Sequence, residues 1–217
     1  MSFFPIFSPG TKLPVTVTFT ATPNNGSALT TYTYTGVSFS TAAAGRKIVV
    51  SVHAGFGGTT VSTLTVGGIS ATFIQRANAG SNYVVEMWEA TVPTGTTGTI
   101  VVTWNAGQNF CSVGVWAVYN AAATYSAAAV SSADPLSASV AIPANGCSIA
   151  AAHTADAATA TWTTLTENYD ERADPTTFAA RMSGASLAFG AASSPTTTCT
   201  WTASAAPNMV LVSWGQA

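Results

Sequence analysis

The sequence predicts an all-β protein built as an antiparallel β-sandwich. Thr or Ser alternates with apolar residues over many short segments, which is the period of a half-buried strand. Glycine, proline and asparagine separate these segments at intervals of roughly ten residues, as in sandwiches and barrels. The Ala-rich stretches 121–129 and 155–160 lack the charged face of an amphipathic helix. Strands and turns therefore account for the whole chain.

The alternation is clearest near the N-terminus, in Val15–Thr20 and Thr31–Thr35. Thr is β-branched and favours a pleated surface, and its hydroxyl faces water without carrying a charge. In the first half we predict further strands near residues 47–54, 59–66, 69–75, 82–91, 98–104 and 111–119. In the second half we predict strands near residues 136–142, 147–154, 159–166, 177–182, 185–190, 196–203 and 208–214.

Turn-forming residues mark the reversals between these strands. Gly67-Gly68 lies between Val66 and Ile69 and predicts a two-residue hairpin turn, because glycine adopts positive φ at little cost. Further reversals are predicted at residues 23–26, 57–58, 93–95, 145–146 and 194–195.

The chain contains a weak internal repeat. Three landmarks recur about 100 residues apart, at near-constant offsets: His53 and His153, Thr103-Trp104 and Thr200-Trp201, and Trp116 and Trp214. The repeat predicts two tandem immunoglobulin-like or jelly-roll-like sandwich units, although coincidence in a Thr- and Ala-rich chain is the alternative.

The repeat suggests a division of the chain into three parts. We expect an apolar N-terminal arm at 1–12, a first unit at 13–122 and a second unit at 133–217. Ala121–Ser132 is small and uncharged, as expected of a linker. The alternative is one large sandwich over 13–217.

Part of the first unit resembles a known immunoglobulin-like family. The segment Val61–Thr72 (VSTLTVGGISAT) and the later stretch Val92–Val102 (VPTGTTGTIVV) are similar to the transcription-factor-immunoglobulin sandwich. The shared pattern is a strand, a Gly-Gly hairpin and a Val-Pro-x-Gly-x-x-Gly entry into a late strand. The resemblance implies a fold and carries no function.

Charge is scarce and excludes several classes of function. Only 6% of the residues are charged, the formal net charge is −2, and Ala, Thr and Ser supply 97 of the 217 residues. Six cations cannot form a nucleic-acid footprint, and the apolar content argues against intrinsic disorder. No stretch of 18 or more apolar residues predicts a membrane span. The sequence beginning at Met1 also lacks the features of a signal peptide.

No set of residues predicts catalysis, a metal site or a cofactor. Glu86 and Glu89 lie at i and i+3 of one strand, on opposite faces, which does not suit a catalytic carboxylate pair. His53 and His153 stand near the ends of equivalent strands. Each could be a catalytic base, but neither has a motif around it, so we expect solvated or backbone-bonded histidines. We therefore expect a protein that is not an enzyme.

The three cysteines are an odd number, which argues against a disulfide framework. Cys147, Trp162 and Cys199 follow the Cys-Trp-Cys order of immunoglobulin domains. Cys147 shares a strand face with Ile149 and Ala151, and Cys199 shares one with Trp201. We expect Cys147 and Cys199 to point inward, close together and reduced, with a disulfide as the alternative.

Tryptophans raise the question of sugar binding. Six are present, and they alternate with small or polar residues as core aromatics do. We therefore expect core positions, with stacking on a sugar ring as the alternative.

Two segments are candidate partner-binding surfaces. The N-terminal arm is held extended by Pro5 and Pro9, and its apolar side chains must pack on this domain or on another subunit: Phe3, Phe4, Ile6 and Phe7. The second segment holds five of the fourteen charges of the chain: Glu167, Asp170, Glu171, Arg172 and Asp174. We expect a long exposed loop there, with a solvated loop, a partner contact and a Ca²⁺ site as the open interpretations.

Thr30–Val52 and Ala152–Asp170 resemble virion structural proteins of tailed bacteriophages. The resemblance implies a virion-surface protein made in the host cytoplasm, namely a capsid decoration or cement protein that binds the major capsid protein, with self-association as a further possibility. The alternative is a tail-fibre or receptor-binding module that recognises a host-surface glycan. Exposed aromatic residues with acidic neighbours, such as Tyr169 and Asp170, would favour the alternative.

Overall fold

The computed structural model describes residues 12–55, 59–78, 83–173 and 179–217. This described part is all-β and contains no helix, and its strands pair antiparallel in four sheets. The predicted fold class is therefore confirmed.

The first half forms two sheets from ten strands. In chain order they are β1 (Thr16–Ala21), β2 (Asn24–Asn25), β3 (Leu29–Ser38), β4 (Lys47–Gly55), β5 (Val61–Val66), β6 (Ile69–Ser70), β7 (Thr72–Ala77), β8 (Tyr83–Thr91), β9 (Thr97–Gln108) and β10 (Phe110–Tyr119). Sheet I has the order β3-β9-β5-β6. Sheet II has the order β1-β10-β4-β8-β7, with β2 also paired to β10.

The second half forms two sheets from eight strands. They are β11 (Ala127–Ser131), β12 (Leu136–Ser139), β13 (Cys147–Thr154), β14 (Ala160–Trp162), β15 (Thr166–Arg172), β16 (Arg181–Ala188), β17 (Thr196–Trp201) and β18 (Asn208–Trp214). Sheet III has the order β11-β18-β13-β16-β15, and sheet IV has the order β12-β17-β14.

The strand orders of the two halves correspond. Sheet III repeats the order of sheet II, with β18, β13 and β16 in the places of β10, β4 and β8. Sheet IV likewise repeats β3-β9-β5 of sheet I. The landmarks of the sequence repeat fall on equivalent strands, His53 on β4 and His153 on β13. The division into two domains stays a prediction, because the halves also share a core.

The four sheets stack in the order I, II, III, IV. One face of sheet II packs on sheet I around Val50, Val113 and Trp104. Its other face packs on sheet III, and the shared core includes Val49, Trp116, Ile149, Val212 and Trp214. The far face of sheet III packs on sheet IV.

Double burial explains the composition of the inner strands. Every residue of β4, β13 and β18 is buried. Strands covered on both faces lose the polar alternation and become nearly continuous runs of apolar and small residues. The outer sheets keep the polar alternation: Tyr32 and Tyr34 of β3 are buried, whereas Thr31, Thr33 and Thr35 are exposed.

Some local predictions are confirmed by the structure and others are wrong. The Gly67-Gly68 hairpin turn is confirmed, with φ of +60° and +80°. The linker over 121–132 is wrong in part, since β11 lies within it and pairs with β18. The two strands predicted at 177–182 and 185–190 are one described strand, β16. The predicted apolar arm, with Phe3, Phe4, Ile6 and Phe7, lies outside the described residues apart from its last position, Lys12.

Candidate functional site

A cavity of about 320 Å³ opens at the edge of the first half, between the start of β5 and the hairpin β7–β8. Its volume lies at the lower end of the range of small-molecule sites, about 300–1,000 Å³. Six residues line it: Thr60, Val61, Phe73, Arg76, Glu86 and Trp88.

A β-bulge brings its functional side chains together. Phe73 pairs with Trp88 and Arg76 pairs with Glu86 across β7–β8, and the register shifts between Phe73 and Gln75. In a regular strand, residues at i and i+3 point to opposite faces. The extra residue in the bulge puts Phe73 and Arg76 on the same face.

Aromatic rings form one wall of this cavity. The rings of Phe73 and Trp88 meet edge to face, with centroids 5.3 Å apart. Trp88 is buried, but the Phe73 side of the wall is open, since Phe73 is 44% exposed. The wall therefore offers an apolar surface to a ligand entering from solvent.

The carboxylate of Glu86 lies at the back of this wall and is only 1% exposed. The Val61 N–H donates to its Oε1 at 3.2 Å, and the Trp88 Nε1–H donates to its Oε2 at 2.9 Å. Burial raises the pKa of Glu86, and these two hydrogen bonds and the nearby Arg76 charge oppose that rise. The described ion pairs, Lys47–Glu89 and Asp170–Arg181, do not include Arg76 or Glu86.

The predicted separation of Glu86 from Glu89 is confirmed. Glu86 faces sheet I, whereas Glu89 faces sheet III, where the Trp214 Nε1–H donates to its Oε2 at 2.8 Å. Lys47 Nζ lies 3.1 Å from Glu89 Oε1. The two carboxylates therefore cannot act together on one substrate.

The prediction of solvated or backbone-bonded histidines is wrong. His53 and His153 are fully buried where sheets II and III meet, and their rings stack with centroids 5.9 Å apart. His53 Nε2 lies 3.1 Å from Ser51 Oγ and 3.2 Å from Tyr169 Oη. Neither His153 nitrogen has a hydrogen-bond partner among the described residues. The sequence does not predict the burial of these two histidines, because the end of a strand is exposed unless a second sheet covers it.

The charge-rich segment is also placed differently from its prediction. Glu167, Asp170, Glu171 and Arg172 belong to β15, an edge strand of sheet III that pairs with β16, so the predicted loop is wrong. Asp170 lies 3.8 Å from Arg181 and accepts a hydrogen bond from the Ala160 N–H. Charges on an edge strand discourage pairing with another chain. Asp174 lies outside the described residues.

Exposure of Tyr169 would have favoured the receptor-binding alternative, but Tyr169 points from β15 into the core between sheets II and III and does not support it. It is buried, and its hydroxyl lies 3.1 Å from Ser51 Oγ. Its ring lies so close to Gly114 and Gly184 that a Cβ at either position would clash with it. The residue joins the two halves of the molecule and is not available to a ligand.

The cysteines are free and buried, so the expected reduced state agrees with the structure. Their predicted closeness is wrong, because Cys147 faces the core between sheets II and III and Cys199 faces the core between sheets III and IV. Since β13 is buried on both faces, an inward direction does not identify the neighbouring sheet.

The prediction that the tryptophans occupy core positions is confirmed for Trp104, Trp116, Trp201 and Trp214. Trp88 is buried but also lines the cavity, and Trp162 is half-buried, with its Nε1–H bonded to Ser183 Oγ.

The residues that the structure describes contain neither a metal-binding cluster nor a membrane-spanning helix. No three or more His, Cys, Asp or Glu side chains come together there as a metal-binding group. No helix in this part is long and apolar enough to cross a membrane. No protein-family model matches the chain, and neither the curated proteins nor the solved structures contain a match.

Proposed function

We propose that the chain is a non-enzymatic virion structural protein of a tailed bacteriophage, a capsid decoration or cement protein that binds and stabilises the shell of the major capsid protein. One observation carries the proposal: the described sheets form a single packed stack whose outer surface carries few charges. Contacts of such a surface are made mainly through apolar groups and hydroxyls.

Burial of charge makes the surface poorer in charge than the composition suggests. Of the fourteen charged side chains, at least four are buried: Arg46, Lys47, Glu86 and Glu89. Thr instead supplies polarity to the outermost sheets, for example Thr33 on sheet I and Thr200 on sheet IV. Binding through such a surface depends little on salt, because there is little charge to screen.

The test is co-sedimentation of the purified full chain with capsids that lack it. We expect binding at low and at seawater-like ionic strength alike, and loss of binding when residues 1–9 are deleted. The double variant E171Q/R172Q tests the second candidate surface: we expect it to bind as the unmodified chain does, and loss of binding would assign the contact to the charge-rich segment on β15 instead. A steep loss of binding with salt, or unchanged binding after the deletion, would contradict the proposed mode of attachment.

A second candidate is a tail-fibre or receptor-binding module that recognises a host-surface glycan. The cavity beside Phe73 and Trp88 favours it, because an aromatic wall next to charged hydrogen-bonding groups suits a small polar ligand.

A further inference from the structure

The cavity concentrates charged groups of a chain that has few. Two of the fourteen charged residues of the chain, Arg76 and Glu86, line this one space. Removing a carboxylate from water is costly, and an apolar residue of similar volume usually serves a core as well or better. Glu86 accepts from the Val61 N–H and from the Trp88 indole, and it also lines the cavity, where its remaining acceptor capacity is available to a ligand.

We propose that this cavity binds a neutral saccharide ring, with one sugar face against the exposed ring of Phe73 and with sugar hydroxyls hydrogen-bonded to Glu86 and Arg76. The inference deepens the second candidate function and rests on it for the biological role of the ligand. The site itself does not depend on where in a virion the chain is located.

The aromatic wall selects a ligand with an apolar face. A sugar ring exposes C–H groups on its faces and hydroxyls around its edge, so it can pack on an aromatic surface while its hydroxyls form hydrogen bonds. The Phe73 ring supplies a surface of this kind, because it is exposed, and the buried Trp88 indole supports it edge to face. Aromatic side chains contribute large contact areas at low cost in conformational entropy.

The polar groups select hydroxyls on that ligand. A carboxylate can accept about four hydrogen bonds, and Glu86 receives one from the Val61 N–H and one from the Trp88 indole. Its remaining acceptor capacity suits hydroxyl donors. Arg76 supplies donors, and the Thr60 hydroxyl can donate or accept.

The charges select a neutral ligand. Arg76 and Glu86 are cross-strand neighbours and their formal charges cancel. An anionic ligand attracted to Arg76 would meet the carboxylate of Glu86, and a cationic ligand would meet Arg76. A neutral sugar uses both groups without an unpaired charge being left in the cavity.

The experiment is titration of the full chain, labelled with ¹⁵N, with glucose, galactose, mannose and N-acetylglucosamine in turn. The readout is the Trp88 indole N–H signal, because that group donates to Glu86 and should shift when a hydroxyl binds there. Sialic acid and glucosamine serve as anionic and cationic probes. The variants are F73A and R76Q, with Y125A as the matched control, since Tyr125 is an exposed aromatic residue that does not line the cavity.

We expect at least one neutral sugar to shift the Trp88 signal, with affinity at least tenfold weaker in F73A and in R76Q and unchanged in Y125A. Unfolding temperatures identify any variant that fails to fold, and R76Q still tests the site if F73A does. The proposal is overturned if no neutral sugar shifts this signal, if binding survives in both cavity variants, or if only the charged probes bind. Particle copy number tests the virion assignment separately, so the two failures are distinguishable.

Discussion

His153 of sheet III stacks on His53 of sheet II, and the two rings lie 25° from parallel. They are the histidines of the chain, and they occupy equivalent strands of the two halves. His153 also packs against Tyr83 and Phe110 of the first half, with centroids 5.2 and 6.0 Å away. The contact between the halves therefore contains two imidazoles, which gain a charge at mildly acidic pH only where they are exposed to water, as in the unfolded chain.

Acidification should destabilise the fold through this pair. Burial lowers the pKa of His153 to about 3, and burial together with the neighbouring His153 lowers the pKa of His53 well below its usual value. The unfolded chain takes up these protons below pH 6.5, whereas the folded chain does not, so stability falls as the pH drops from about 6.5 towards 3. At pH 4.5 the His153 contribution amounts to roughly 2–3 kcal/mol. Urea denaturation between pH 7 and 4.5 measures it.

The variant H153F is the control for that prediction. Phenylalanine keeps the stacked arrangement, cannot be protonated and removes two buried nitrogens that lack described partners. Its stability should fall less between pH 7 and 4.5. The groups facing the pair include Ser51, Tyr83 and Tyr169, and no described carboxylate contacts either ring. The raised pKa values of Glu86, Glu167 and Asp170 act in the opposite direction and are common to both chains. Equal pH dependence in H153F and the unmodified chain would therefore contradict the role given to His153.

Removal of the Tyr169 hydroxyl should weaken the contact between the halves. Y169F loses the hydrogen bonds to Ser51 and His53, at 3.1 and 3.2 Å, while its ring still fills the space beside Gly184. We expect a loss of about 1–2 kcal/mol in the free energy of unfolding, measured by urea denaturation. Y125F, at an exposed tyrosine, should change it by less than about 0.5 kcal/mol. Equal effects in both variants would contradict the role given to Tyr169.

Arg46 should be intolerant of replacement by lysine. It is fully buried, and its guanidinium donates to the carbonyls of two loops at distances of 2.8–3.0 Å: Phe39, Ser40, Val92, Thr94 and Gly95. Lysine has only three donors and leaves buried carbonyls unsatisfied. We expect R46K to cost about 2–4 kcal/mol, measured by thermal and urea unfolding. R76K, at a half-buried arginine, should cost less than about 1 kcal/mol, and a similar cost in both would refute the prediction.

The three thiols should react only after unfolding. Cys111, Cys147 and Cys199 are buried, and burial raises the pKa of Cys111 and of Cys147 to about 12 and that of Cys199 further. Few thiolates therefore form at neutral pH. Mass spectrometry after alkylation should find no labelled thiol in the native chain and three in the denatured chain, both without reductant. Incomplete labelling after denaturation would indicate a disulfide and contradict the free cysteines.

The sequence predicts where the strands lie better than it predicts which sheets cover their faces. Alternation in Thr31–Thr35 and in Thr196–Trp201 marks strands with one covered face, and both are present. Cys147–Thr154 is also correctly predicted as a strand. Its two covered faces leave no polar alternation, however, so the sequence does not indicate which sheet Cys147 or His153 faces.

The candidate site depends on a β-bulge, which the alternation of residue types in the sequence does not reveal. Phe73 and Arg76 are three residues apart and would point to opposite faces of a regular strand. The bulge between Phe73 and Gln75 places them side by side across from Trp88 and Glu86. A bulge follows from pairing with the neighbouring strand, so the local sequence alone does not predict this cavity. The burial of Tyr169 is likewise not predicted from the sequence, because the charges around it are typical of a loop.

Copy number per virion tests the proposed function most directly. Quantitative mass spectrometry of purified particles, calibrated against the major capsid protein, gives the ratio of the two chains. A decoration protein should be present in hundreds of copies, in a fixed ratio to the major capsid protein, and should remain bound in seawater-like salt. A few copies per particle would instead indicate the tail, and absence from the particle would contradict the virion assignment altogether.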